Sequence, residues 1–472
     1  MNNVSTKPGC RFMQYAAATS AALSSAASSA YGVWTSPALP ILQSEASPIG
    51  RSISDEEASW LVSSFLLTSI IGIGLSGWLI ERIGRKPPLI IASVLQFLPW
   101  IAIILVTSFE GIMIARVIGG IGCGISIVAC AVYNTEIADR DNRGKLGTFF
   151  MALKLTGSLI VLGIGPYVSY TTLGIICAIF PILSIISLIF IPESPYYLTK
   201  VGNFDGARKS VISFAESNSK EENINVTLAE LKNSVQSDMM DKTSIWEFLS
   251  QKKYRRALIV MACVKTLQQF SGFAAIEAYM QTIISKTDSV ISPEQSSTIF
   301  GVVQVLGVFA ASFMVDKLGR KPLLVVSAVG CGLSLCGEGV YFYIQNETVY
   351  GTNGIKWMPT TGIALFMIMS AIGIISIPYV LLGELFPANI KGIAVSITTM
   401  YGTVLAFAVS KSFDPISRAL GIHSMFWLYS ANCLVGAVFV LFLLPETKGE
   451  TFADIQDKVN SKGQKGIYYF VV

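Results

Sequence analysis

The sequence predicts an all-α membrane protein, with twelve transmembrane helices in two pseudo-symmetric six-helix bundles. Three observations lead there. The 472 residues are 52% hydrophobic and only 14% charged, with a mean hydropathy of +0.59, which is too apolar for a water-soluble chain of this length. The apolar residues form long continuous runs rather than alternating with polar ones, and a helix of roughly 20 such residues crosses a ~30 Å bilayer core with its backbone groups satisfied. Finally, the charged markers that close these runs occur twice, in the same order.

The runs predict helices over 13–42, 58–80, 87–109, 111–136, 146–170 and 172–192, then over 257–285, 295–315, 322–345, 357–384, 392–412 and 423–444. The first run is about 30 residues long and eleven more spans follow it, so it is expected to be a retained helix rather than a cleaved signal peptide. Seven of the eight cysteines lie inside apolar runs without paired spacing. They are expected to be small core residues, not a disulfide framework.

The only long polar insertion, residues 193–255, divides the chain. Within it DGARKSVISFA and LAELKNSV each predict a short amphipathic helix. The expected organisation is a bundle over 1–192, a helical linker over 193–255, a second bundle over 256–445 and a tail over 446–472. A GRKP loop occurs at Gly84 and again at Gly319, a separation of 235 residues. Glu136 precedes Arg143 by seven residues, as Glu384 precedes Lys391, and Pro192-Glu193-Ser194 recurs as Pro445-Glu446-Thr447. Three matches in one order indicate duplication, and duplicated helical bundles are a common plan of membrane carriers.

Orientation follows from basic residues in short loops. The side holding both termini carries twelve lysines and arginines, among them Arg82, Arg85, Lys86, Arg320 and Lys321, against five on the other side. Both termini are therefore expected in the cytoplasm. Asn346, in the triplet NET, then faces outward as a possible glycan acceptor.

The stretches GWLIERIGRKP, EIADRDNRGK, PESP, QQFSG, PYVLLGELFPANIKG and PETKGETFADIQ together resemble the sugar porters of the major facilitator superfamily over nearly the whole chain. YGVWTSPALP in the first span is most similar to the facilitated trehalose transporters of insects. The resemblance implies a plasma-membrane sugar carrier rather than an enzyme, with a central site opening alternately to each side. Its partners would be the bilayer and a sugar substrate, a disaccharide such as trehalose or a hexose such as glucose.

The resemblance also implies a latch. In the family, charges at the cytoplasmic helix ends pair between the two halves when the inner side closes and separate when it opens. Carried onto this sequence, the residues are Glu81, Arg85, Glu136, Arg143 and Glu193 in the first half, and Asp316, Arg320, Glu384, Lys391 and Glu446 in the second. Charge-assisted pairs worth about 1–3 kcal/mol each suit an equilibrium that must be biased without being frozen. One position departs: the residue after PESP is Tyr196 where the family usually has Arg.

The substrate site falls elsewhere. Gln268 and Gln269 stand side by side in the seventh span, where buried amides need partners that both donate and accept, and a sugar does both. The resemblance implies sugar contacts for these two, for Gln304 in the eighth span, and for Tyr379, which replaces the family's Trp after Pro378. Met151, Ala274 and the pair Met400-Tyr401 replace polar or aromatic positions of the family, so the pattern leaves the sugar open. A carrier of anionic organic solutes and a sensor that binds sugar without moving it remain as alternatives.

Charges inside the spans are few. Arg116 precedes the glycine-rich run GGIGCG. Lys154 lies three residues after Met151, and Lys265 three before Gln268, so both share helical faces with site positions. Two readings stay open for them: cations lining the cavity, or side chains snorkelling about 12 Å to the surface. Glu277 and Glu338 lie nearer the outer side.

A single histidine, His423, and the absence of a Cys/His cluster or a phosphate-cradling glycine loop give no basis for a metal, cofactor, nucleotide or nucleic-acid partner. Residues 13–42 contain no charge, whereas proton-driven sugar porters generally place an acid in the first helix. Facilitated diffusion, a uniport, is therefore expected.

Overall fold

The computed structural model describes residues 12–138, 143–215, 221–240, 252–348, 351–386 and 388–448, and all regular structure among them is helical. Among the described residues, eleven helices are long and apolar enough to cross a membrane. The one expected span missing from these is the first, which begins with α1 (Phe12–Val33), whose alanines and serines make it less apolar. Those small residues let it sit buried between neighbours, with Ala17, Ala21, Ala27 and Ala30 fully enclosed.

Several spans are not single rods. The first breaks at Trp34 between α1 and α2 (Thr35–Leu42), because Pro37 and Pro40 lack the N–H groups that would continue the helical ladder. Next come α3 (Asp55–Ile83), α4 (Lys86–Leu105), α5 (Phe109–Ile137), α6 (Arg143–Ile164) and α7 (Tyr170–Phe190). A 3-10 turn over Gly165–Tyr167 ends the fifth span, three residues short of the expected helix. Helices α3 and α5 touch backbone to backbone: a Cβ on Gly124 would lie 2.1 Å from the Ser69 carbonyl oxygen. Small residues allow this approach in a bilayer, where packing rather than water exclusion drives association.

The linker holds α8 (Pro195–Lys200), α9 (Phe204–Phe214) and α10 (Glu221–Met240). Its second expected helix thus extends well beyond LAELKNSV, while residues 216–220 and 241–251 lie outside the described segments.

The seventh span is three helices, α11 (Lys252–Phe270), α12 (Phe273–Ala278) and α13 (Met280–Ser285). Its break falls at Gly272, whose φ of +77° only glycine adopts readily. A Cβ there would also meet the Tyr429 ring at 2.2 Å. Then follow α14 (Pro293–Leu318), α15 (Arg320–Glu347), α16 (Met358–Ile372), α17 (Ile377–Leu385), α18 (Ala388–Leu420) and α19 (Ile422–Leu443). The tenth span therefore breaks between Gly373 and Ser376, just before Pro378. The eleventh runs two turns past its expected end.

The parts before and after the linker meet at the end opposite the termini. There Asp55 pairs with Arg418 at 3.4 Å, the Ser59 hydroxyl donates to the Lys411 carbonyl at 3.3 Å, and Lys411 Nζ lies 3.9 Å from the Trp60 ring centre. Two further bonds join the broken first and seventh spans: Thr35 Oγ1 donates to the Ala278 carbonyl and the backbone N–H of Gln281 donates to Ser36 Oγ. Thr298 Oγ1 donates to the Gly163 carbonyl between α14 and α6.

Candidate functional site

Two kinds of polar structure interrupt the apolar interior: a duplicated charge cluster at the end that holds Glu193 and Glu446, and a central group around the broken seventh and tenth spans.

In the first cluster, Arg85 stands where α3 gives way to α4 and is only 2% exposed. Its guanidinium grips Glu136 at the end of α5, Nε donating to both carboxylate oxygens at 3.0 and 2.8 Å and Nη2 to Oε1 at 2.8 Å. Nη1 donates to the Ile80 carbonyl at 3.2 Å. Glu193, just past α7, accepts from the backbone N–H groups of Arg85 and Lys86 at 3.1 Å, a favourable place for an anion because it faces the free amides that open α4. Burial acts against the Arg85 charge, but the Glu136 carboxylate more than offsets it and holds the guanidinium above its ordinary range.

The second cluster repeats the first. Arg320 Nε donates to Glu384 Oε1 at 3.0 Å, and Nη1 to the Val315 carbonyl at 3.2 Å. Glu446 accepts from the backbone N–H groups of Arg320 and Lys321, both at 3.0 Å. Ser194 bonds Glu136 in the first cluster, and Thr447 Oγ1 bonds Glu384 at 2.6 Å in the second. Burial pushes the Glu446 carboxyl up, yet backbone donors from Arg320, Lys448, Lys321 and Thr447 bring it below its usual value.

The positive-φ glycines of the two GRKP loops, Gly84 and Gly319, make room for these carboxylates. A Cβ at either would lie 2.4 Å from Glu193 or 2.7 Å from Glu446. Glu81 pairs with Lys200 of α8, and the rings of Tyr196 and Tyr197 lie 5.6 and 5.1 Å from the Arg85 guanidinium carbon. Tyr196 thus adds an aromatic face to the cluster where the family's usual residue would add a cation.

Among the described residues, the ion pairs at this end lie within a half rather than between halves. The side chains of Arg143, Asp316 and Lys391 lie outside the described ones. Lys200 and the Ile80 and Val315 carbonyls belong to the clusters although no sequence signal singled them out, and Ser194 and Thr447 join them. The aligned Ser194 and Thr447 hydroxyls were the one available hint.

The central group gathers on the breaks. Lys265 is 3% exposed and donates to Gln268 Oε1 at 2.9 Å. Gln268 Nε2 donates in turn to the Ile374 and Ile375 carbonyls at 3.1 and 3.4 Å, which the break between α16 and α17 leaves without helical partners. The chain itself thus satisfies Gln268, which ties the seventh span to the tenth. Its neighbour Gln269 is half-buried; its carbonyl accepts from the Gly272 N–H, and its side-chain amide has no hydrogen-bond partner among the described residues. Gln304 Nε2 donates to Glu277 Oε1 at 3.1 Å. Thr266 and Tyr401 share a hydroxyl bond of 2.9 Å.

Tyr379 is 36% exposed, the most open of the expected contacts. Lys154 and Lys265 both converge on it, with Nζ 5.4 and 4.7 Å from its ring centre. The two ammonium groups, one from α6 and one from α11, thus approach the same ring.

Arg116 lies apart from this group, between the first span and α3. It is fully buried, donates to the Leu61 and Tyr31 carbonyls at 3.0 and 2.7 Å, and is flanked by the rings of Phe65, Tyr31 and Trp34. Glu338 is buried in the second half, with its carboxylate against Gly362. Asn346 is exposed in the last turn of α15, at the end opposite the termini.

A family model described as "Sugar (and other) transporter" matches residues 13–458. The facilitated trehalose transporter Tret1 of Polypedilum vanderplanki is 30% identical over 96% of this chain and 89% of its own length. That of Culex quinquefasciatus is 29% identical over 95% and 86%. Among solved structures, a partially occluded inward-open form of the xylose transporter XylE from E. coli superimposes with a TM-score of 0.77 at 22% identity, covering 93% of this chain and 99% of that one. The proton:xylose symporter XylE bound to 6-bromo-6-deoxy-D-glucose gives 0.75 at 22% identity, over 95% and 98%. These likenesses establish the major facilitator fold.

Proposed function

This chain belongs to the sugar transporter family, and from that premise we propose that it moves a sugar across the plasma membrane by facilitated diffusion and alternating access. The substrate is a disaccharide such as trehalose, as in the names of its insect relatives, or a hexose such as glucose. The observation that carries the reading is the placement of Gln269 and Tyr379 with the Gln268 tie on the broken seventh and tenth spans, with Gln304 of α14 bonded to the seventh span at Glu277, between two halves joined at their far ends.

Residues 1–192 and 256–445 rock as two units about that site, with both termini cytoplasmic and a glycan on Asn346 outside. The joined ends are then the outer ones, and this is an inward-facing arrangement with its outer gate shut. The two charge clusters are the separated halves of the latch, each closed on itself while the inner side is open. An uptake panel of trehalose, glucose and xylose in a heterologous cell tests the reading. Saturable uptake of at least one sugar above mock-transfected cells supports it; binding without uptake would make the chain a sensor.

A further inference from the structure

Lys154 and Lys265 sit on α6 and α11, one from each half, and their ammonium groups share one aromatic ring. Among the described residues no carboxylate lies within salt-bridge distance of either; the nearest in charge is Glu277, which interacts with Lys154 over a longer distance and is held by Gln304. Lys265 has only neutral partners, the Gln268 amide and the face of Tyr379. A desolvated cation with neutral partners is costly, and two of one sign across an interface repel. An empty site of this kind resists closure of the halves. A solute that brings a negative charge between the lysines removes the repulsion and draws the halves together, so that binding favours the closed, movable form.

We propose that the preferred substrate of this site is a polyhydroxylated solute bearing one anionic group, a carboxylate or a phosphate, with neutral sugars carried at lower affinity. The anion lies between Lys154 and Lys265. The hydroxyls meet the Gln269 amide and the Tyr379 ring. This rests on the carrier reading above and adds an anionic class to the neutral sugars named there.

The test compares matched probes, glucose, glucuronate and glucose 6-phosphate, by binding to the purified full chain and by uptake into proteoliposomes. One of the two anionic probes binds at least tenfold more tightly than glucose; Lys154→Gln brings that ratio to near one, and Lys154→Arg keeps it. Lys265→Gln serves as the second variant if Lys154→Gln fails to fold. Carboxylate and phosphate are told apart by which probe is preferred. A wild-type ratio of one or less, or a ratio unmoved in both Gln variants, overturns the inference while sugar uptake leaves the carrier reading standing. A preserved anion preference in binding with no probe taken up would instead overturn the carrier reading and leave the site as assigned.

Discussion

Glu193 and Glu446, 253 residues apart, do the same thing. Each lies just beyond the last span of its half and accepts hydrogen bonds from the two backbone amides that follow a positive-φ glycine. Above each carboxylate an arginine reaches back to a glutamate and to a carbonyl five residues earlier. Duplication was visible in the sequence, and the structure shows that the bonding scheme was duplicated with it.

The two arginines are not equally enclosed. Arg85 and Glu136 are 3% and 14% exposed at the side chain, Arg320 and Glu384 13% and 24%. Removing one member of a buried pair strands the other, at a cost of about 3–5 kcal/mol, and less where water reaches. Arg85→Ala is therefore expected to lower the unfolding temperature in detergent more than Arg320→Ala. Equal losses, or a larger one for Arg320→Ala, contradict this.

Both variants are also expected to cut sugar exchange at least tenfold in molecules that still reach the cell surface, because each removes a latch cation. Rates like those of the wild type, measured against surface-labelled protein, would leave the clusters as topology signals only.

At the site, Gln269→Ala and Tyr379→Ala are expected to weaken sugar binding, since a lost hydrogen bond in a desolvated site costs about 1–3 kcal/mol, or roughly 5- to 150-fold in Kd. Gln268→Ala is expected to act differently. It frees the Ile374 and Ile375 carbonyls and Lys265 together, so protein yield and thermal stability fall as well as affinity. Isothermal titration with a melting curve separates the two patterns, and an unchanged Kd in all three moves the site elsewhere.

Gly272→Ala places a Cβ at positive φ against Tyr429, at a cost of about 1–3 kcal/mol. Gly354→Ala, with open space and no positive φ, is the control. Thermal unfolding of the pair checks the claim; equal melting temperatures contradict it.

The sequence disclosed the spans because burial in lipid demands long apolar runs, and it disclosed the duplicated clusters because charge at a helix end is rare enough to stand out. The helix breaks were hidden. Pro37, Gly272 and Pro378 are tolerated inside membrane helices when neighbours satisfy the freed backbone groups, and only tertiary partners such as Gln268 tell a break from a kink. Gln268 itself read as a sugar contact because an amide that binds a ligand and one that binds a carbonyl look alike in one dimension. The meeting of Lys154, Lys265 and Tyr379 joins three distant spans, and helical periodicity places a residue on a face without saying what the face opposes.

Whether this chain alternates with sugar alone, or needs a proton, is tested most directly by counterflow in proteoliposomes. In α1 the inner polar groups are hydroxyls and the Gln14 amide, such as the Ser24–Ser126 bond of 2.9 Å, and hydroxyls do not titrate in the physiological range. Liposomes loaded with unlabelled trehalose are expected to take up labelled trehalose with a transient overshoot, unaltered by an inward proton gradient or a protonophore. In liposomes without internal sugar the label should rise only to the external concentration. Steady accumulation above that level, collapsing when the protonophore is added, would contradict facilitated diffusion, and no overshoot with trehalose or glucose would contradict sugar transport itself.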